Sequence, residues 1–170
     1  MIIDLIALGG RSKPVEISID DAEFDLELEH VRLKGPVQFS GQVSGDNVRA
    51  KLSGNIATDL EIECTRCLDP VPFSLPIEFT ADFVSKEHFG SAGEHEVDPQ
   101  NLSADSLDRE RLDLVGIIKE QILLNLPEQV FCREDCKGLC ERCGGNLNLK
   151  DCECRVEDID PRWAALRNLK

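Results

Sequence analysis

Six of the eight cysteines in this chain of 170 residues fall between Cys132 and Cys154, in the run CREDCKGLCERCGGNLNLKDCEC. Their spacing is Cys132-x3-Cys136-x3-Cys140-x2-Cys143-x8-Cys152-x-Cys154, and the other two, Cys64 and Cys67, form a separate C-x2-C pair. A C-x2-C turn presents two sulfurs to one ion, and zinc takes four such thiolates tetrahedrally at about 2.3 Å. Cys140-Glu-Arg-Cys143-Gly144-Gly145 has this knuckle form, with glycine free to take the positive φ the turn requires. Cys64-Thr-Arg-Cys67 is a second knuckle. The spacing of Cys132 and Cys136 is expected to set both on one face of a helical turn. Eight thiols suffice for two zinc sites. One would use Cys140, Cys143, Cys152 and Cys154, the other Cys64, Cys67, Cys132 and Cys136, tying the middle of the chain to its tail. Cys152-x-Cys154 is tight for two ligands on one ion, so a single zinc with spare thiols is the alternative.

Other chemistries fit less well. Cys136-x3-Cys140-x2-Cys143 has the spacing that radical-SAM enzymes use for an iron–sulfur cluster, but the chain lacks the length and βα alternation of their barrel. A thiol redox role for Cys64 and Cys67 would want a βαβ context, whereas this pair lies between two strand patterns. All-cysteine metal sites are closed, without the open position that hydrolysis needs. No phosphate-binding glycine loop, dinucleotide motif or Ser/His/Asp arrangement is present. No enzyme activity is expected. His30, His88 and His95 read as surface residues, since the cysteines already fill two sites.

Asp and Glu total 33 against 19 Lys and Arg, a net charge of −14. The imbalance lies in the first 131 residues, because Arg133, Lys137, Arg142, Lys150, Arg155, Arg162, Arg167 and Lys170 match the acidic residues of the tail in number. An acidic body repels phosphate and attracts a basic partner, or else only keeps the protein soluble. Met1 to Leu8 is apolar but short and lacks a basic start, so it is not a secretory signal. No stretch approaches the ~18 apolar residues of a membrane helix. Cysteines without an export signal point to reduced thiols in the cytoplasm.

The elements that must position these thiols follow from hydrophobic period. Residues 15–19 alternate as a strand, and Phe24, Leu26 and Leu28 repeat the pattern, with His30 in the same strand. Val37, Phe39, Gly41 and Val43 alternate next, and Ser44-Gly45-Asp46-Asn47 is a turn. Val48 to Ile62 and Val71 to Phe83 keep period two on either side of Cys64 and Cys67, which fall at a hairpin tip. Residues 85–104 lose the pattern and read as a mobile loop. Leu112, Val115, Ile118, Ile122 and Leu126 then change to helical period, with Leu114, Ile117 and Leu123 widening the stripe, Asp108 as N-cap and Pro127 as stop. Asp160-Pro161 starts a short C-terminal helix with Trp163, Leu166 and Leu169 on one face.

Several of these runs resemble the YceD family of large ribosomal RNA subunit accumulation proteins. Cys64-Thr-Arg-Cys67-Leu68 is similar to its C-x-R-C element, and Asp113-Leu114-Val115 through Leu126-Pro127 to the run that follows. The block from Cys132 through Asn146-Leu-Asn148 is similar to the tail of cysteine-rich members, and Asp160-Pro161-Arg162-Trp163-Ala164-x-Leu166 to the closing motif. The resemblance covers most of the chain from about residue 35 onward. It implies a non-enzymatic cytoplasmic factor supporting accumulation of large-subunit (23S) rRNA, with relatives in plastids.

The expectation is thus an α+β protein. An antiparallel sheet, meander or partly closed, fills 1–84, a mobile loop 85–104, a packing helix 105–131, and a cysteine-rich zinc module with a C-terminal helix 132–170. One or two zinc ions are expected. The partner is expected to be a large-subunit precursor, met through a basic ribosomal protein or through rRNA, with Arg66, Arg133, Lys137, Arg142, Arg155 and Trp163 as contact candidates. A stand-alone zinc-knuckle RNA-binding module and a thiol redox protein are the alternatives.

Overall fold

A computed structural model describes residues 1–46, 48–85, 104–107 and 111–154. In order, these form β1 (Ile2–Asp4), a 3-10 turn (Ile6–Leu8), β2 (Ser12–Ile19), β3 (Val31–Leu33), β4 (Val37–Gly45), β5 (Arg49–Glu63), β6 (Pro70–Ser85), β7 (Ala104–Leu107), β8 (Arg111–Asp113) and the helix α1 (Leu114–Asn125). The main sheet has the order β2-β4-β5-β6-β7, and β1 pairs with β8 in a separate ribbon.

The two longest runs of alternating residues make the two longest strands. β5 and β6 pair antiparallel from Arg49↔Val84 to Glu63↔Pro70. Because side chains alternate across a strand, Leu52, Ile56, Leu60 and Ile62 of β5 and Leu75, Ile77 and Phe83 of β6 are buried on one face. Asn55, Asp59, Glu78 and Asp82 fall on the other. The second edge of β5 is shared: β4 takes Ala50 to Ala57, and β3 takes Leu60 to Ile62. Over the apolar face lie Leu5 and Leu8, Phe24 and Leu26, and the buried stripe Leu114, Ile118 and Ile122 of α1. A spacing of four residues keeps that stripe on one side of the helix. The backbone N–H of Leu114 bonds to the carbonyl of Met1, which ties the helix start to β1.

Four local expectations are corrected. Phe24 and Leu26 are buried, but their segment is not a strand. The Asp25 carboxylate accepts the N–H of Glu27 at 2.8 Å, and Glu27 sits at φ 59°, which takes the backbone out of any ladder. His30 lies in the turn before β3, not in a strand. The sheet is not a pure antiparallel meander, since β7 runs parallel to β6 and β3 and β4 share one partner. The helix is shorter than the span 105–131: β8 holds Leu112, and Asp113 is the N-cap. Residue 108, most of the expected loop over 85–104, with His88 and His95, and the expected C-terminal helix lie outside the described residues.

One packing constraint fixes the β4–β5 register. Gly41 and Gly54 are cross-strand partners, and the Phe39 ring lies across both. A Cβ on Gly54 would fall 2.6 Å from the ring and 2.8 Å from the Cα of Gly41. Phe39 is itself almost fully buried, so it has nowhere to move. Gly54→Ala is therefore expected to lower unfolding stability in urea by about 1–3 kcal/mol. Gly35→Ala, where a Cβ meets nothing within 4 Å, should change it by less than about 0.5 kcal/mol. Equal effects of the two substitutions would contradict this packing.

Candidate metal centre

The β5–β6 hairpin closes through residues 64–69, and both of its cysteines lie in that loop. The N–H of Leu68 bonds to the carbonyl of Cys64 at 2.9 Å, and Leu68 takes φ 61°. The second knuckle repeats this geometry. The N–H of Gly144 bonds to the carbonyl of Cys140 at 2.8 Å, and Gly144 takes φ 69°. The turn thus demands a left-handed residue after its second cysteine. Glycine supplies it freely, whereas leucine at Leu68 pays about 1–2 kcal/mol.

The thiols of Cys132 and Cys136 reach the first knuckle because the chain leaving α1 is hooked onto it. Thr65 donates its N–H to the carbonyl of Val130 at 2.8 Å, and the N–H of Val130 donates to Thr65 Oγ1 at 3.0 Å. Cys132 and Cys136 are not on a helical turn as their spacing suggested; a tight turn closed by Cys136 N–H to the Arg133 carbonyl brings them together. The eight thiols so fall into two quartets, Cys64/Cys67/Cys132/Cys136 and Cys140/Cys143/Cys152/Cys154, with the sulfurs of each within 4.8 Å of one another. Cys152 and Cys154 serve the same quartet despite their single-residue spacing.

The geometry suits a metal rather than disulfides. Cys64 and Cys136 sulfurs are 3.8 Å apart and those of Cys67 and Cys132 3.6 Å. A disulfide would bring them to about 2.05 Å. Four thiolates at about 2.3 Å from a tetrahedral ion stand about 3.8 Å apart. Charge points the same way. Burial raises Cys64, but N–H donors from Cys132, Arg66 and Cys67 outweigh it and bring that thiol down to about 6. Burial, then the Asp69 carboxylate and Cys64, hold Cys67 far above the ordinary thiol value. In the second quartet the N–H groups of Cys143 and Arg142 bring Cys140 down to about 6, while Cys143 pushes Cys154 up to about 12. Each quartet thus combines a sulfur whose ionisation is favoured, Cys64 or Cys140, with one whose ionisation is opposed, Cys67 or Cys154. A divalent cation among them cancels the repulsion and lets all four ionise.

Residues around the quartets connect them. Asp69 accepts the Cys67 thiol at 3.2 Å and the Asn146 side-chain amide at 3.1 Å. Asn148 donates its side-chain amide to the Cys136 sulfur at 3.3 Å, and its Oδ1 accepts the N–H of Lys137. Leu139 N–H donates to the carbonyl of Arg66, and Gly138, at φ 76°, packs against the backbone of Arg66. The sequence assigned no role to Thr65, Asp69 or Val130, and Asn146 and Asn148 entered only as part of the family-like block. Two Asn at i and i+2 inside a cysteine run, both able to cap backbone turns, were the physical signal for them.

The contact candidates fare differently. Arg66 turns toward the joint: its guanidinium donates to the carbonyls of Glu134 and Cys136 and stacks 4.3 Å from the Phe131 ring centre. Arg133 pairs with Asp135, and Lys137 with Asp151. Arg142 is exposed on the second knuckle. Arg155 and Trp163 lie outside the described residues. No described helix is long and apolar enough to cross a membrane.

Comparison with known proteins places this architecture. The family model for the large ribosomal RNA subunit accumulation protein YceD matches residues 52–170. An uncharacterized protein of Mycobacterium tuberculosis is 28% identical over 172 residues, covering 98% of this chain and 79% of the relative. The uncharacterized protein YlbN of Bacillus subtilis is 26% identical, covering 82% of this chain and 77% of its own. The chloroplastic large ribosomal RNA subunit accumulation protein YCED homolog 1 of Zea mays is 27% identical over 92% of this chain, which spans 60% of that relative. No solved structure matches the chain.

Arg66→Ala removes the donors to two carbonyls and the ring stack, so it should destabilise the joint by about 1–2 kcal/mol in urea unfolding, discounted for its exposure. Arg66→Lys should restore less than half, because an ammonium lacks the planar fork. An alanine variant as stable as the parent would show that Arg66 does not hold the joint.

Proposed function

Because this chain belongs to the YceD family of large ribosomal RNA subunit accumulation proteins, we propose that it is a non-enzymatic ribosome-assembly factor. In this reading it supports accumulation and processing of 23S rRNA in the cytoplasm by docking a basic protein of a large-subunit precursor. Each quartet holds one zinc ion. Four thiolates close the coordination sphere, so the zinc supplies cross-linking and no reactive position.

The observation that carries the reading is charge on a rigid platform. The outward positions of the sheet include Glu16 on β2, Asp59, Glu61 and Glu63 on β5, and Glu78 and Asp82 on β6. Lys34 and Lys51 pair with Glu61 and Asp82, and Arg32 opposite Glu61 and Arg49 on β5 add two further cations, so these six carboxylates keep a modest acidic excess over the four. Such a face steers a cationic partner and repels phosphate. Arg133 and Lys137, next to Cys132 and Cys136 in the chain, already face Asp135 and Asp151, and Arg66 turns into the joint. Each four-thiolate zinc site adds a formal −2. These features favour a protein partner over direct contact with rRNA.

Pull-down of the tagged chain from growing cells, with and without RNase, tests this. A basic large-subunit protein should remain bound after RNase. Loss of every partner on RNase treatment would overturn the protein-docking reading in favour of a zinc-knuckle module that reads rRNA.

A further inference from the structure

The two quartets are chemically alike but mechanically unlike. In the inner quartet Cys64, Cys67 and Cys136 are buried, and Cys64 is 0% exposed. In the outer quartet none of Cys140, Cys143, Cys152 and Cys154 is buried against the described residues, and Cys143 is exposed. The inner sulfurs come from segments 65–72 residues apart in sequence. One segment is the tip of the longest hairpin, and the other is hooked to it by the Thr65–Val130 pair and by Arg66. The outer sulfurs all come from residues 140–154, so a local opening of that stretch frees them without disturbing the sheet. A competing ligand must also reach the sulfur; the inner quartet exposes Cys132 alone, whereas no sulfur of the outer quartet is buried against the described residues.

On the reading that both quartets hold zinc, we propose that the outer quartet is an exchangeable port for thiophilic d10 cations while the inner ion is retained. We further infer that Asn146 and Asn148 are positioning residues that make inner retention depend on the outer site being closed. Both lie between Cys143 and Cys152, in the loop that the outer quartet brackets. The Asn148 backbone N–H bonds to Asn146 Oδ1, and the N–H of Leu147 to the carbonyl of Gly138. From there Asn146 holds Asp69 beside Cys67, and Asn148 donates to the Cys136 sulfur. Opening the outer loop withdraws both amides from the inner quartet. Loss of such supporting partners weakens metal retention by about tenfold or more.

The test is transfer of zinc from the full chain to excess 4-(2-pyridylazo)resorcinol, followed by stopped-flow absorbance, after zinc per chain is measured. Fewer than two zinc ions at the start would refute the loading on which the inference rests, separately from the inference itself. With two bound, release should occur in two phases of one equivalent each. Cys154→Ser should remove the fast phase, and Asn148→Ala should speed the slow phase about tenfold while leaving two ions bound. A single phase of two equivalents, or a fast phase that survives in Cys154→Ser, would overturn the port. A slow phase unchanged in Asn148→Ala would overturn the coupling. Should Cys154→Ser not fold, titration of the zinc-loaded wild-type chain with 113Cd, which thiolates prefer to zinc, decides the order. Its resonances are assigned through coupling to cysteine β-protons, and the signal coupled to Cys140 or Cys143 should appear first; earlier appearance of the signal coupled to Cys64 or Cys67 would overturn the proposal.

Discussion

The architecture depends on one junction, where the tip of the β5–β6 hairpin meets the chain leaving α1. Four sulfurs converge there, Cys64 and Cys67 from one side and Cys132 and Cys136 from the other. With the proposed metal bound, the quartet cross-links a loop of about 65 residues and removes about 4 kcal/mol of freedom from the unfolded chain. The hydrogen bonds and ring stack around it contribute about 1 kcal/mol each. In that loaded state the quartet is the largest single term at the junction, and the Thr65–Val130 and Arg66 contacts set its geometry. It also explains how a leucine is tolerated at φ 61° after Cys67. The left-handed residue costs about 1–2 kcal/mol, less than the cross-link supplies.

The second quartet is built outward from the first. Gly138 and Leu139 lie against the backbone of Arg66, Asn146 reaches Asp69, and Asn148 reaches Cys136. The tail is thus an extension of the hairpin tip rather than a separate appendage. The acidic strands β5 and β6 run straight into this tip, so the outward carboxylates and the thiol centre form one body. Under the proposed protein-docking role, that continuity would present a folded, charged platform to a partner without ordering the residues of these strands on binding.

Much of this was legible in sequence where a pattern is long or a chemistry is specific. The period-two runs from Val48 to Ile62 and from Val71 to Phe83 became the two longest strands. The thiols grouped as their knuckle spacing suggests, because only a turn can present both sulfurs of C-x2-C to one centre. Short segments were misread for identifiable reasons. Phe24, Leu26 and Leu28 alternate, but one Asx turn at Asp25 overrides the pattern. Leu112 matches the helical stripe yet lies in β8, since pairing with Ile3 recruits it to the ribbon. The parallel β6–β7 pair joins segments far apart in sequence, which local periodicity cannot report. Arg66 stood among the contact candidates because its acceptors, the carbonyls of Glu134 and Cys136, are distant in sequence.

If the inner thiolate quartet, with its proposed metal, locks the hairpin tip to the helix exit, amide hydrogen exchange before and after a strong chelator should show it. Cys64, Thr65, Leu68, Val130 and Cys136 should lose protection, while the β4–β5 ladder from Phe39 to Ile56 keeps it. Unchanged protection at those junction amides would contradict it, and so would simultaneous loss across the β4–β5 ladder.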